Sequence, residues 1–429
     1  MKKVLFVCLC FAPDNSVAAI RPTKIAKYLH ESGEYEIDVL KLQSYGLITD
    51  ELLVEDLKHI HQVYEVPQVN YNTTGVYSSP NEGFFGVLKR KCRSLSEHML
   101  EWRFDRKNFN LAKKYMKEYM RGKHYDIIFS SSGPFLTHKI AAQMKKHSKD
   151  SFWIADYRDP LPNTLAAGAL IRAISRQRVR YITRNANLIT GATAGCYENM
   201  KTYAPERCIE ITNGYDTDDL AGFVQTAQET DKLTFCYTGT IHKQKSDLSM
   251  VFRALEELIQ EGIVQKDRIL FRYAGRMERS FRAQAAQFHL ADTVESYGYV
   301  TRKQSIALQM QSDILLLASF NYTHQNDVIT GKFFEYLMSA KPIICTIKGN
   351  APGSRLKHLI DSMRCGVCCE EAAGEADFLR LKAYVKEQYT YFCQQGTVIY
   401  DADKAAVEAY HYRNIVKKLC EAIQQIQAT

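Results

Sequence analysis

Short apolar runs of strand length recur along the chain, separated by stretches with helical spacing. In the first half they are Lys3–Phe11 (KVLFVCLCF), Glu36–Leu42, Asp126–Phe129, Phe152–Asp156, Asn187–Thr190 and Cys208–Ile211. Their continuous rather than alternating hydrophobicity predicts strands covered on both faces, as in a parallel sheet. Arg21–Leu29 places Ile25, Ala26 and Leu29 on one helical face, and a second helix is predicted from Phe135 to about Lys146. The β-α-β opening is that of an open α/β sheet. Gly46–Phe85 reads as less regular, with turn residues in Asn70–Gly75 and Ser78–Gly83.

The second half repeats the pattern. Strands are predicted at Leu233–Tyr237, Ile269–Ala274, Thr293–Tyr299, Asp313–Phe320 and Pro342–Ile347, with a helix at Met250–Ile259 and an amphipathic helical tail from Ala405 to Ile426. Thr217–Lys232 is polar and without a period. The expected organisation is an N-terminal domain over 1–212, a linker over 213–232, a second domain over 233–400, and a C-terminal helix in 401–429 that packs back on the first domain. A length of 429 residues fits two cores rather than one.

Thr330–Pro342 (TGKFFEYLMSAKP) stands out because it lies between two buried-strand patterns. Thr330 and Gly331 occupy a helix start, and Pro342 follows where that helix would have ended. A helix entered from the carboxyl end of a parallel strand presents free N–H groups and the positive end of its dipole there, which suits an anion. Two further strand ends carry compatible groups. Thr238-Gly239-Thr240 is a turn followed by Lys243 and Lys245, and Arg276 follows Gly275. Ligands of open α/β sheets bind outside the carboxyl ends of strands, so three such ends point to a diphosphate.

Composition adds a charge asymmetry. The net charge is +8, and between Gly86 and Lys123 twelve Lys and Arg face four acids, so that stretch alone equals the whole excess. It is either a solvated helix face or a patch that attracts an anionic surface, such as lipid headgroups or phosphorylated substrates, with peripheral contact to an anionic membrane as the specific expectation. Nucleic acid is not expected, because the stretch lacks interleaved aromatics beyond Trp102, Phe104 and Phe109. No apolar run is long enough to span a bilayer, Val4–Ala12 being the longest. The twelve cysteines have no paired CxxC spacing and read as reduced thiols of a cytoplasmic protein, peripheral on the inner membrane face at most. The loop Pro13–Ile20 lacks the glycines of a dinucleotide fingerprint.

Candidate chemistry collects at other strand ends too. Asp156-Tyr157-Arg158-Asp159 ends a strand and offers two acids and an Arg to bind or activate a hydroxyl, with a self-satisfied ion pair as the plainer reading. His138 is either a base or a helix histidine. Asp327 and Glu335 lie eight positions apart, and Glu335 shares a helix face with Lys332, which suits vicinal hydroxyls of a ribose or sugar. DxD spacings at Asp216–Asp218 and Asp401–Asp403 follow no buried strand, and no metal site is expected.

Across nearly its whole length the chain resembles the retaining glycosyltransferases of family 4. The matching stretches include Arg21-Pro22, SSSGPFLTHKIA (Ser130–Ala141), WIADYRDP (Trp153–Pro160), ITNGYD (Ile211–Asp216), FCYTGT (Phe235–Thr240), YAGR (Tyr273–Arg276) and TGKFFEYLMSAKPII (Thr330–Ile344). The resemblance implies a GT-B fold: two Rossmann-like, doubly wound parallel-sheet domains facing across a cleft. It implies a nucleoside-diphosphate sugar as donor, a glycan or lipid-linked acceptor, cell-surface polysaccharide synthesis and no cofactor or metal. Glu335 looks like the second Glu of the family's E-x7-E motif, which holds the nucleotide ribose, with Asp327 in place of the first. Lys245 matches the Lys of the G-R-x4-K turn, whose Gly is Gly239 and whose Arg is replaced by Thr240; Arg276 is positioned to supply that charge. Gly239, Thr240, Thr330, Gly331 and Lys332 are then donor-binding, with Lys245, Arg276, Asp327 and Glu335 as the catalytic set. Arg21, His138, Asp156, Arg158 and Asp159 fall on the acceptor side. Epimerases of nucleotide sugars share this architecture, and a non-catalytic sugar-nucleotide or glycan binder is a further alternative.

Overall fold

A computed structural model describes residues 1–43, 48–67, 105–132, 135–158, 169–223, 230–241, 245–323 and 329–428. The chain divides into two compact units, Met1–Thr212 with Val416–Thr429, and Asn213–Ile415.

The first unit carries a seven-stranded sheet: β1 (Lys2–Cys8), β2 (Tyr35–Leu42), β3 (Gln62–Val66), β4 (Ile127–Ser131), β5 (Phe152–Tyr157), β6 (Leu188–Gly191) and β7 (Cys208–Glu210), ordered β3-β2-β1-β4-β5-β6-β7. Every pairing is parallel. β4, β5 and β6 are buried at every position, which is what their uninterrupted hydrophobicity demands. Helices at 105–119, Leu136–His147 and Ala169–Asn185 cover one face. Ala112, Met116, Ile140, Val179 and Ile182 share a core there with Leu5, Val7, Ile128 and Trp153.

The second unit has six parallel strands: β8 (Leu233–Thr238), β9 (Ile269–Ala274), β10 (Val294–Ser296), β11 (Ile314–Asn321), β12 (Ile343–Gly349) and β13 (Gly366–Glu370), ordered β10-β9-β8-β11-β12-β13. Both sheets reverse direction of growth beside their first strand, between β1 and β4 and between β8 and β11. Such a switch point leaves a crevice at the carboxyl edge where neighbouring connections diverge.

Several expectations are corrected. Gly46–Phe85 is not wholly irregular, since β3 extends the first sheet through the register Asp38↔Gln62 to Leu42↔Val66. β13 was not predicted, because GVCCE is short and its cysteines carry a weak strand signal; Cys345 and Cys368 lie opposite one another in the β12–β13 register. The single tail helix is two, Lys404–Glu408 and Tyr412–Ala428. The break arises because Tyr215 N–H donates to the Tyr410 carbonyl and Tyr412 N–H to the Tyr215 carbonyl, which takes that turn out of the helical ladder. Thus Asn213–Tyr215, at the start of the polar stretch, is tied to the tail of the second unit. Asp216 and Asp403, both in DxD spacings, act as caps: Asp216 accepts from Asp218 N–H and Asp403 from the N–H groups of Ala405 and Ala406.

Candidate functional site

The carboxyl edge of the second sheet gathers its chemistry at the β8/β11 switch point. β8 ends in Thr238 and turns at Gly239, whose φ of +116° is open to glycine and costly for other residues. A Cβ at Gly275, after β9, would run into the Gly239 carbonyl oxygen and the Tyr273 hydroxyl, so the two strand-end loops touch through glycine. The Gly239 N–H is already committed to the Ala274 carbonyl at 2.7 Å. The turn therefore offers a ligand less free backbone than its sequence suggested, and its cations matter more.

Lys332, in the first turn of the Gly331–Met338 helix, reaches back over β8. Its ammonium is 3.2 Å from the Tyr237 hydroxyl and 4.4 Å from the Tyr237 ring centre, against the Cα of Gly239. Thr330 occupies the N-cap with extended backbone, yet its hydroxyl makes no cap bond and is buried without a hydrogen-bond partner. A buried hydroxyl left unpaired at a helix N-terminus is a donor waiting for an acceptor. The helix holds because Phe333, Phe334, Tyr336, Leu337 and Met338 are buried beneath it.

Glu335, three residues further along the same helix, is half-buried within a polar network. Its carboxylate accepts from Gln309 Nε2 at 2.6 Å, and its other oxygen is 3.4 Å from Arg302 Nε. Arg302 also pairs with Asp219 at 2.6 Å. Fully buried Gln309 donates in addition to the Thr238 hydroxyl at 3.1 Å, and Tyr336 OH is 3.3 Å from the same hydroxyl. Gln309 and Arg302 were not foreseen, since neither belongs to a motif, and Tyr336 was given no role although it lies within TGKFFEYLMSAKP; Arg302 opens a helix capped by Thr301 and Gln304, the one local signal it carries.

The other expected cations rest on aromatic rings. Lys245 is exposed, 4.5 Å over Phe320 at the end of β11, and Arg276 is exposed, 4.4 Å over Tyr299. Thr240 and Gly331 are exposed. Asp327 and Asp159 lie outside the described residues.

In the first unit the expected acceptor-side residues are brought together, but as supports. Asp156 is fully buried, and its carboxylate accepts from Arg21 Nε at 3.1 Å and NH2 at 2.7 Å, Thr190 Oγ1 at 2.7 Å and Ser131 Oγ at 3.0 Å. Burial alone would raise this carboxyl; the Arg21 guanidinium and the two hydroxyls outweigh it and hold it below the usual range. Arg21 donates further to the carbonyls of Ile211 and Thr212, each at 2.7 Å. Hydroxyl activation by Asp156 is thereby corrected, since four donors already occupy its lone pairs, and so is an ion pair internal to the turn, since its cation is Arg21 from a distant helix. Arg158 is likewise structural, donating to the Ser132 carbonyl at 2.6 Å and that of Ala18 at 2.9 Å. His138 is fully buried, 2.8 Å from Ser130 Oγ, and burial pushes its pKa down to about 4. His138 is therefore not the helix-surface histidine the sequence allowed, and at this depth its neutral imidazole is poorly placed for the alternative role of a base.

The two sheets, with their matching strand orders, define the GT-B architecture. No family model and no curated protein matches the chain. Solved structures do. The lipopolysaccharide outer core galactosyltransferase WaaB, in its apo form, shares 12% identity at a TM-score of 0.56, over 99% of both chains. The α,α-trehalose 6-phosphate synthase from Burkholderia multivorans shares 9% at 0.60, over 100% of this chain and 99% of that one. S. aureus MnaA, solved with UDP, shares 11% at 0.51, over 100% and 97%. At these identities the likeness is one of fold.

Proposed function

We propose that the protein is a glycosyltransferase that moves a sugar from a nucleoside-diphosphate sugar to a glycan or lipid-linked acceptor with retention, in the building of a cell-surface polysaccharide. The observation that carries this is the presence, at the start of one helix at the switch point of the second sheet, of the Lys332 ammonium over Tyr237 and of an unpartnered Thr330 hydroxyl. A cation and a free hydroxyl at a helix N-terminus suit phosphate oxygens. Glycosyl transfer leaves a diphosphate whose negative charge grows as the sugar–oxygen bond breaks. Lys332, with Lys245 and Arg276 on neighbouring strand ends, stabilises that charge, and Glu335 accepts from the ribose hydroxyls while Gln309 and Arg302 fix its orientation. Attack from the face the diphosphate leaves retains configuration and needs no protein nucleophile.

The test is a thermal-shift panel of UDP-, GDP-, ADP- and dTDP-sugars on the wild type and Lys332→Ala. One donor class should raise the wild-type midpoint by several degrees and leave the variant unmoved. The absence of a shift from all four would sink the proposal. The same fold also occurs in a putative UDP-N-acetylglucosamine 2-epimerase from Listeria monocytogenes, at 10% identity and a TM-score of 0.50, so epimerisation of a nucleotide sugar is the second reading. It is distinguished by product: an epimerised sugar released without acceptor, against no turnover until acceptor is added.

A further inference from the structure

We infer that the three-helix face of the first unit is a docking surface for a bilayer containing anionic phospholipid. The helices at 105–119, Leu136–His147 and Ala169–Asn185 together carry thirteen Lys and Arg against two acids, Asp105 and Glu118. The Ala169–Asn185 helix has five Arg and no acid. A solvated helix elsewhere in the chain looks different: Glu375–Gln395 balances three cations with three acids. The excess is therefore particular to this face, and most of it lies outside the basic stretch that the sequence singled out.

Two adjoining grooves run along the Leu136–His147 helix, sharing Gln143. One, of about 510 Å³, is lined by Phe135, Ile174 and Tyr181 with Lys139, Lys146 and Arg178. The other, of about 590 Å³, has a floor of Met116, Met120 and Met144 and a rim of Lys113, Lys117 and Arg121. Among the described residues, neither is lined by an Asp or a Glu. Lys139 is 3.8 Å from Asp105, whose side chain is mostly buried.

The cations lie along apolar surface rather than away from it. Arg178 and Lys139 flank the Phe135 ring at 5.5 and 5.6 Å, Lys146 is 6.0 Å over Tyr181, and Lys113 is 5.9 Å over Phe109. Tyr119, Ile174 and Tyr181 are among the exposed large apolar side chains. Cations draped over apolar floors, with apolar tips between them, match the headgroup–acyl boundary of a charged bilayer: phosphates meet the cations, and Ile and Tyr enter among the chains. A nucleic acid would use the same charge but leave the exposed Ile174 without an apolar partner.

The proposal is independent of the transfer reaction, so its test uses no donor. The full chain is sedimented with phosphatidylcholine vesicles and with vesicles containing about a third phosphatidylglycerol. Binding should need the anionic lipid and weaken as salt rises. The triple variant Lys113→Glu, Lys146→Glu, Arg178→Glu should lower partitioning at least tenfold with the thermal midpoint unchanged. The indole introduced by Tyr181→Trp should shift its emission to the blue on anionic vesicles. Equal binding to neutral vesicles, partitioning indifferent to the triple variant, an unshifted emission in the Tyr181→Trp variant, or tighter binding to RNA than to the anionic vesicles would each overturn the proposal.

Discussion

The Lys332 ammonium occupies the space where a side chain on Gly239 would begin: a Cβ there would stand 2.5 Å from both Lys332 Cε and Nζ. Gly239 therefore does two things, accepting a φ of +116° and leaving room for the cation. Gly239→Ala should cost about 1–3 kcal/mol through backbone strain and push Lys332 off Tyr237. Gly222→Ala separates the two effects, because Gly222 has a φ of +83° and open space around its Cβ position. Both variants should lower the urea midpoint, but only Gly239→Ala should weaken binding of the nucleotide sugar, by tenfold or more in calorimetry. Equal binding by the two variants would separate Lys332 from the donor.

How far the sequence carried the fold depended on how continuous each apolar run is. Strands such as Ile269–Ala274 were read to the residue, because six buried positions in a row leave few alternatives. Gly366–Glu370 was missed because it is short and rich in cysteine, and its strand identity comes from pairing with Ile343–Ile347. The site divided along similar lines. Thr330, Lys332 and Glu335 were legible because a helix start after a buried strand has a sequence signature. The grip of Gln309 on Glu335 was not, because it joins residues 26 positions apart with no local pattern. For Asp156 the residue was found and its task misjudged, since only the fold reveals that Arg21, 135 positions away, saturates it.

Two exposed cations at the proposed donor edge are held by aromatic rings, Arg276 by Tyr299 and Lys245 by Phe320. An exposed cation–π contact is worth roughly 0.5–1 kcal/mol, enough to bias where a flexible cation waits. Tyr299→Leu should therefore raise the donor KM by about two- to fivefold with little change in kcat, the size set by that energy. Tyr299→Phe, which keeps the ring, should behave as wild type. If the Phe variant is as impaired as the Leu variant, the hydroxyl rather than the ring is what matters.

Arg21 binds Asp156 with two nitrogens and also two carbonyls at the end of the first unit's sheet. Arg21→Lys keeps the charge but loses the fork, and a point ammonium cannot satisfy four acceptors in that plane. Leaving the buried Asp156 poorly paired should cost about 3–5 kcal/mol, read as a lowered urea midpoint. An unaltered midpoint would mean that Asp156 is supported by Thr190 and Ser131 alone.

His138 gives the same unit a pH signature. Burial pushes its pKa down to about 4, while the Asp156 charge pulls weakly the other way. An imidazole in the unfolded chain titrates near 6.5. Between those values the unfolded chain binds a proton that the folded one refuses, so stability falls as pH drops from about 6.5 towards 4, by up to about 3 kcal/mol. Asp156 acts in a separate window: its folded pKa lies below 3.8, so its contribution is present above that value and is lost only as pH falls beneath it. His138→Asn keeps a hydrogen-bonding atom near Ser130 Oγ, which now lies 2.8 Å from the imidazole Nδ1, and removes the titration. Urea midpoints measured from pH 7.5 to 3.5 should slope downward below 6.5 in the wild type. In the variant they should fall less steeply between about 6.5 and 4, with the remaining slope left to His59 and His411, which burial also holds below the usual imidazole value. Identical slopes in the two proteins would show that another group carries the acid sensitivity.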